Sequence, residues 1–188
     1  MKSDIIQKIE QEGIPVYLDA TERGGHYNFE TKAICVNPNK FGTLLDYIVG
    51  HEYGHHIICS YFLRSYNKLY NFYRFMVKLG ISIFFMLTIL HWAWIIPLMI
   101  FSTLQVIEEG MASYFGAQYV AIHDPRRTDT KKGIIKLIWA WSTYFLSLIF
   151  YSVYGIMLIT HTAESIRITT MICLLLFELY VQKKASSV

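Results

Sequence analysis

The sequence predicts a mainly α-helical protein, an integral membrane helical bundle that carries a small α+β region at its N-terminus. Hydrophobic residues make up 54% of the 188 residues and charged residues only 16%, whereas soluble domains are about 25% charged. Two stretches, 79–107 and 137–163, contain no charged side chain. Each is longer than the roughly 20 apolar residues that a membrane-spanning helix needs. The chain length fits a single domain.

Residues 1–42 are predicted to form the small α+β cap. Ser3 and Gly13 bound a short polar helix, since serine is a favoured N-cap and glycine commonly ends helices. Pro15–Leu18 and Ala33–Val36 have the composition of strands, and Gly24-Gly25 between them indicates a turn. Because the first helix is polar and charged, no secretory signal peptide is predicted, and this region is expected in the cytoplasm.

A predicted helix over 43–63 carries His51-Glu52-Tyr53-Gly54-His55, an H-E-x-x-H motif. Residues four apart share one face of a helix, so His51 and His55 can bind the same metal ion. Two neutral imidazoles suit Zn²⁺, and with a third protein ligand they leave a fourth position for water. Glu52 is placed to act as general base toward that water. The motif therefore predicts one catalytic Zn²⁺ per chain.

The surroundings of the motif support this helix. Thr43 is expected to be its N-cap, and Gly54 removes a side chain where another backbone can pack closely. His56 lies about 100° around the helix from His55, so it is expected to make an ordinary polar contact rather than to bind the metal.

A third ligand is expected from a second predicted helix over 107–122. Its start carries two adjacent acids, Glu108 and Glu109, directly after a very apolar run. A solvated acidic helix start is disfavoured by that run, so this segment is the candidate for the third ligand.

Residues 72–106, between the two motifs, are predicted to form a membrane hairpin. They amount to about 52 Å of helix, which is too long for one crossing of about 30 Å and short for two. The turn is expected near His91-Trp92 or at Pro97. Further membrane helices are predicted over 134–181.

Basic residues cluster at the ends of the apolar runs, at 64–78, 126–136 and 183–184. The positive-inside rule places all three clusters on the cytoplasmic side. Because the net charge is only +3, the clusters indicate contacts with anionic membrane lipid rather than with nucleic acid. Cysteines at 35, 59 and 173 show neither metal-site spacing nor a disulfide framework.

The segment Glu109-Gly110-Met111-Ala112-Ser113 resembles the Glu-x-x-Ala-Asp pattern of the gluzincin metallopeptidases. The resemblance implies a zincin-type active-site helix and makes Glu109 the third zinc ligand, with Glu108 as the alternative. Ser113 stands where those enzymes usually have aspartate. By resemblance it supports a ligand histidine through a hydrogen bond, without the charge that aspartate would bring.

A membrane hairpin between the two zinc motifs makes the chain similar to the HtpX-like membrane gluzincins, the group that includes the CAAX prenyl proteases. Those enzymes have a Thr-His-Pro segment followed by Arg-Ile, which Thr160-His161-Thr162 and Arg167-Ile168 resemble. The resemblance implies that His161 stabilises the transition state and that Arg167 braces the site. Peptidases of this kind hold substrate along an edge strand, for which Ala33–Val36 is expected.

These resemblances imply a membrane-embedded zinc endopeptidase that hydrolyses peptide bonds of a protein or peptide substrate. Its site would face the cytoplasm at a bacterial cytoplasmic membrane. Two alternatives stay open. One is an ImmA/IrrE-like regulatory metallopeptidase acting on a repressor, a class that is typically soluble. The other is a membrane or immunity protein with a non-catalytic zinc site. The sequence defines neither the substrate nor the oligomeric state.

Overall fold

The computed structural model describes residues 2–62, 67–88, 90–123, 145–146, 148–160, 163, 165–170, 172–173, 176–177 and 180. Over these residues the protein is mainly helical with one small sheet, as predicted. The helices are α1 (Asp4–Gln11), α2 (Pro38–Phe41), α3 (Leu45–Phe62), α4 (Asn67–Leu87), α5 (Ile95–His123) and α6 (Leu148–Ile159). The strands are β1 (Val16–Leu18), β2 (Gly25–Asn28) and β3 (Ala33–Val36).

The chain divides into two compact units. The first unit draws on Met1–Phe72 and Glu108–Leu137, and the second on Tyr73–Ile107 and Ile138–Val188. One boundary falls inside α4 and the other inside α5, so each of these helices contributes to both units. The sequence predicts separate elements on either side of residue 107, but α5 is continuous there.

Helix α1 has the boundaries that the sequence predicts. The Ser3 side chain accepts a hydrogen bond from the Ile6 amide at 3.3 Å and caps the first turn. Gly13 follows the helix with a φ of +86°, a left-handed conformation that glycine adopts without steric cost. The apolar face of the helix, formed by Ile5, Ile6 and Ile9, is fully buried.

The sheet has the order β1-β3-β2, with β1 parallel and β2 antiparallel to β3. The expectation that Ala33–Val36 is an edge strand is therefore wrong, because this strand is hydrogen-bonded on both sides. Strand β2 was not predicted from the sequence. Its first residue, Gly25, belongs to the Gly24-Gly25 pair that was expected to form a turn. Glycine is depleted in strands, but a side chain at Gly25 would lie only 2.7 Å from Ile48 of α3.

Helix α3 carries the H-E-x-x-H motif and follows a 3-10 turn at Gly42–Leu44. Thr43, the expected N-cap, lies within this turn rather than at the start of α3. The turn leads directly into the helix, so the motif itself lies well inside regular helix, as predicted.

Helices α3 and α5 cross with their backbones in direct contact. A Cβ atom added to Gly54 would lie 2.0 Å from the carbonyl oxygen of Ala112, and one added to Gly116 would lie 2.2 Å from that of Gly50. Each helix thus presents two small residues four positions apart, which allows the axes to approach closely. The sequence-based expectation of a close backbone contact at Gly54 is met by Ala112.

In the second unit, the residues of α4 and α5 form a helical hairpin. Phe101 packs on the bare backbone of Gly80, and Phe84 stacks on Phe101 with ring centroids 5.6 Å apart. The connection contains a 3-10 turn at Trp92–Trp94 that His91 caps through a hydrogen bond from the Ala93 amide. The break thus includes His91-Trp92, one of the two positions where a turn was expected.

Helix α6 packs against the start of α5 within the same unit. Tyr154 and Leu158 form a buried apolar cluster with Ile95 and Leu98. Gly155 admits the Ile95 side chain, since a Cβ atom there would lie 2.7 Å from it. Most of the remaining C-terminal residues predicted as membrane helices lie outside the described residues.

The close crossing predicts that Gly54→Ala destabilises the protein by about 3 kcal/mol or more, the upper end of the usual cost of overpacking. Alanine normally stabilises a helix relative to glycine, so the sign of the change reports the contact with Ala112. The measurement is the thermal midpoint of the purified full chain.

Gly24→Ala is the matched control, because an added Cβ atom there has no neighbour within 4 Å. Its stability should stay within about 0.5 kcal/mol of the parent. A Gly54→Ala protein as stable as the Gly24→Ala protein would show that the two backbones do not touch.

Candidate metal centre

Three side chains that could bind a metal ion converge between α3 and α5. The Nε2 atoms of His51 and His55 lie 3.2 Å and 3.4 Å from the same oxygen, Oε2 of Glu109. The ligand atoms of the three residues all lie within 4.8 Å of one another. His55 and Glu109 are buried, whereas the side chain of His51 is 17% exposed. The cluster is therefore accessible on the His51 side.

The two nitrogen–oxygen separations fit a tetrahedral metal ion. Zinc binds imidazole nitrogen and carboxylate oxygen at about 2.0–2.1 Å, which separates neighbouring ligand atoms by about 3.3 Å. Both nitrogen–oxygen separations in the cluster are close to this value. Two histidines and one glutamate form the donor set of a catalytic site with one open position. The structure brings together the three residues that the sequence predicts as ligands.

A serine orients the first histidine. Oγ of Ser113 lies 3.0 Å from Nδ1 of His51, which leaves Nε2 to face Glu109. This is the hydrogen bond that the gluzincin resemblance implies for the residue in the aspartate position. The contact joins α5 to α3 a turn beyond Glu109, and it holds the ring through a neutral partner.

A glutamate lies against the second histidine. Oε1 of Glu108 is 3.3 Å from Nδ1 of His55, a contact outside hydrogen-bond geometry, and the same oxygen accepts a hydrogen bond from the Tyr70 hydroxyl. Consecutive residues of a helix point about 100° apart, so Glu109 reaches Nε2 of His55 while Glu108 reaches Nδ1. This arrangement favours Glu109 over Glu108 as the ligand.

The predicted general base, Glu52, lies beside strand β2. Its side chain is 7% exposed, and a Cβ atom added to Gly25 would lie 3.3 Å from its Oε1 atom. The absence of a side chain at Gly25 thus keeps space next to the carboxylate. The strand backbone, rather than a side chain, borders the Glu52 carboxylate.

Neighbouring carboxylates change the proton affinity of His55. Burial disfavours the imidazolium form, but the carboxylates of Glu108, Glu109 and Glu52 outweigh it and raise the pKa of His55 to about 9. Without a metal ion, the buried imidazole thus holds a proton at neutral pH. A metal cation has to displace that proton, because only neutral imidazole is a ligand.

His56 makes the ordinary polar contacts that the sequence predicts. Its Nδ1 atom lies 2.7 Å from the Tyr27 hydroxyl and its Nε2 atom 3.2 Å from Oγ of Ser60. Both contacts lie outside the metal cluster. His161, the predicted transition-state stabiliser, lies outside the described residues. Arg167 belongs to the second unit, and its bracing role stays a prediction.

Sequence reasoning missed two residues next to the cluster. Tyr70 lies in neither motif, and nothing in the sequence links it to Glu108, 38 positions away. Gly25 could have been noticed, because it belongs to the Gly24-Gly25 pair, but that pair predicts a turn rather than a strand. A strand interrupted by glycine also marks the close approach of another group, which is its role beside Glu52.

Comparisons with protein-family models, with curated proteins and with solved structures give no match to this chain. The interpretation of the cluster therefore depends on its geometry and chemistry.

The raised pKa of His55 predicts that metal binding weakens as the pH falls. With one proton displaced, the zinc affinity should drop about tenfold for each pH unit between about pH 9 and pH 7. Chelator-buffered zinc titrations of the full chain in detergent at about pH 7, 8 and 9 measure this slope. An affinity that is constant over this range would mean that His55 is already neutral in the metal-free protein.

Proposed function

We propose that the protein is a membrane-embedded zinc endopeptidase of the gluzincin type. The observation that carries the proposal is the convergence of His51, His55 and Glu109 on one point, with Glu52 in the same turn of α3. Two histidines and a glutamate at tetrahedral spacing, next to a buried carboxylate, are the parts of a metal-assisted hydrolytic site.

Each residue has a role in peptide hydrolysis. Zinc held in such a site lowers the pKa of a water molecule to about 7 and polarises a carbonyl group. Glu52 removes the proton of the attacking water and returns it to the leaving amine. Ser113 and Glu108 contact the Nδ1 atoms of the two histidines, so that both Nε2 atoms face Glu109.

Strand β2 is proposed as the strand that binds the substrate, in place of β3. It is an edge strand of the described sheet, so its outer side offers backbone donors and acceptors to an extended peptide. Gly25 brings that strand against Glu52. A peptide paired with β2 would therefore run past the general base.

Membrane attachment is part of the proposal. Within the described residues one helix, Trp92–His123, is long and apolar enough to cross a membrane, and 39% of its most apolar stretch is buried. A core helix of a soluble protein passes the same test but is mostly buried. Large apolar side chains of α4 and α5 are exposed: Phe72, Phe75, Leu79, Ile83, Met86, Ile96, Ile100, Leu104 and Ile107. Membrane lipid is the proposed partner of these surfaces.

The catalytic role of Glu52 is tested by Glu52→Gln, which keeps the shape but cannot take up a proton. Cleavage of a susceptible protein or peptide should fall by about 10²–10⁴-fold while zinc stays at one ion per chain. Activity comes from proteolysis assays with the purified full chain and zinc content from elemental analysis. His51→Ala is the comparison variant and should lose both activity and zinc.

Cleavage by Glu52→Gln at the parent rate would contradict the proposed mechanism. Stoichiometric zinc in a parent protein that cleaves nothing would instead favour a non-catalytic zinc site.

Membrane insertion is tested with two exposed isoleucines of α5, Ile100 and Ile122. Ile100→Arg places a charge in the apolar stretch, which costs about 2.5–3.5 kcal/mol at the centre of a membrane helix, so less protein should remain in the membrane after alkaline extraction. Ile122→Arg, at the C-terminal end of α5, should leave the membrane fraction unchanged. A parent chain recovered in the soluble fraction would contradict membrane insertion.

A further inference from the structure

We propose that Glu108 and Tyr70 position the second metal-ligating histidine, His55, by holding the Nδ1 side of its ring. We call this pair the Tyr70–Glu108 brace. The inference rests on the proposed metal site, and it assigns Glu108 a role other than that of a ligand.

The geometry separates the two glutamates by the nitrogen of His55 that each approaches. Oε2 of Glu109 lies 3.4 Å from Nε2, and Oε1 of Glu108 lies 3.3 Å from Nδ1. A neutral imidazole carries its proton on one nitrogen only. Although this contact is not a hydrogen bond, the negative charge of a carboxylate 3.3 Å from Nδ1 favours the tautomer that is protonated there, which leaves the lone pair of Nε2 free to bind the metal.

The residues of the brace are buried, which explains why the Glu108 carboxylate needs the Tyr70 hydroxyl as a hydrogen-bond donor. Glu108 is 6% exposed, Tyr70 is 3% and His55 is 2%. A buried carboxylate is costly unless it is hydrogen-bonded or paired. The Tyr70 hydroxyl donates to Oε1 of Glu108, and the Tyr70 ring packs on Phe29 with ring centroids 4.8 Å apart. The hydrogen bond from Tyr70 therefore fixes the position of the Glu108 carboxylate next to His55.

The two histidines differ in the charge of their supporting partners. Ser113, which contacts Nδ1 of His51, is neutral, whereas Glu108 is an acid at Nδ1 of His55. A negative partner makes the bound imidazole a stronger donor and offsets the charge of a divalent cation. Position 113, beside His51, thus has a serine instead of the usual aspartate, whereas an acid, Glu108, lies beside His55.

The test is the zinc affinity of Glu108→Gln in the full-length protein in detergent. Loss of a supporting partner of this kind typically weakens metal binding about 10–100-fold, and the stoichiometry should stay at one. Tyr70→Phe should weaken binding less. Adding Tyr70→Phe to Glu108→Gln should cause no further loss, because both substitutions act on the same contact.

Glu12→Gln is the matched control. Glu12 also accepts hydrogen bonds from two tyrosines, Tyr53 and Tyr119, but it is not among the metal-binding residues. Its replacement should leave the zinc affinity at the parent value even if stability falls. A readout independent of activity is the visible spectrum with Co²⁺ in place of zinc. Glu108→Gln should keep a four-coordinate spectrum, whereas Glu109→Gln should lose it.

Two results would overturn the brace. One is a Glu108→Gln protein that binds zinc as tightly as the parent. The other is loss of stoichiometric zinc in Glu108→Gln together with retention in Glu109→Gln, which would make Glu108 the ligand. A parent protein that binds no zinc would refute the proposed function itself, so the two failures are distinguishable.

Discussion

Contact between the backbones of α3 and α5 is the constraint on which the candidate metal centre depends. The H-E-x-x-H histidines lie on one helix and the third candidate ligand, Glu109, lies on the other, so the distance between the axes sets the distance between the candidate ligands. Ordinary helix pairs lie about 8–10 Å apart because side chains separate them. At Gly54 and Gly116 no side chain intervenes, and carbonyl oxygens occupy the space where a Cβ atom would stand.

This crossing also explains why both acids of α5 act on the same histidine. With the axes so close, the ring of His55 lies between two consecutive positions of the opposite helix, and Glu108 and Glu109 meet its two nitrogens from different sides. Three carboxylates, those of Glu108, Glu109 and Glu52, therefore influence one buried imidazole, that of His55. Such a concentration of negative charge is stable only if cations, protons or hydrogen-bond donors compensate it.

Much of the architecture could be predicted from the sequence because the signals were local. The capped helix α1, the strand Ala33–Val36, the motif helix and the break near His91 each follow from residues within a few positions of one another. The two histidine positions could be predicted because helix periodicity and the motif fix them, whereas the choice of Glu109 over Glu108 came from the gluzincin resemblance. The strand order could not, since pairing is non-local, and neither could the role of Tyr70, which depends on tertiary contact alone.

If β2 binds a peptide substrate as proposed, its short length limits how that substrate can be held. Four residues at about 3.3 Å each span about 13 Å, so the strand edge can align only a few residues of a peptide. Backbone pairing is indifferent to side-chain identity, while neighbouring side chains of an extended peptide point to opposite faces. Discrimination between sequences would therefore fall on every second residue of the substrate. A helical segment would have to unwind before it could pair with this edge.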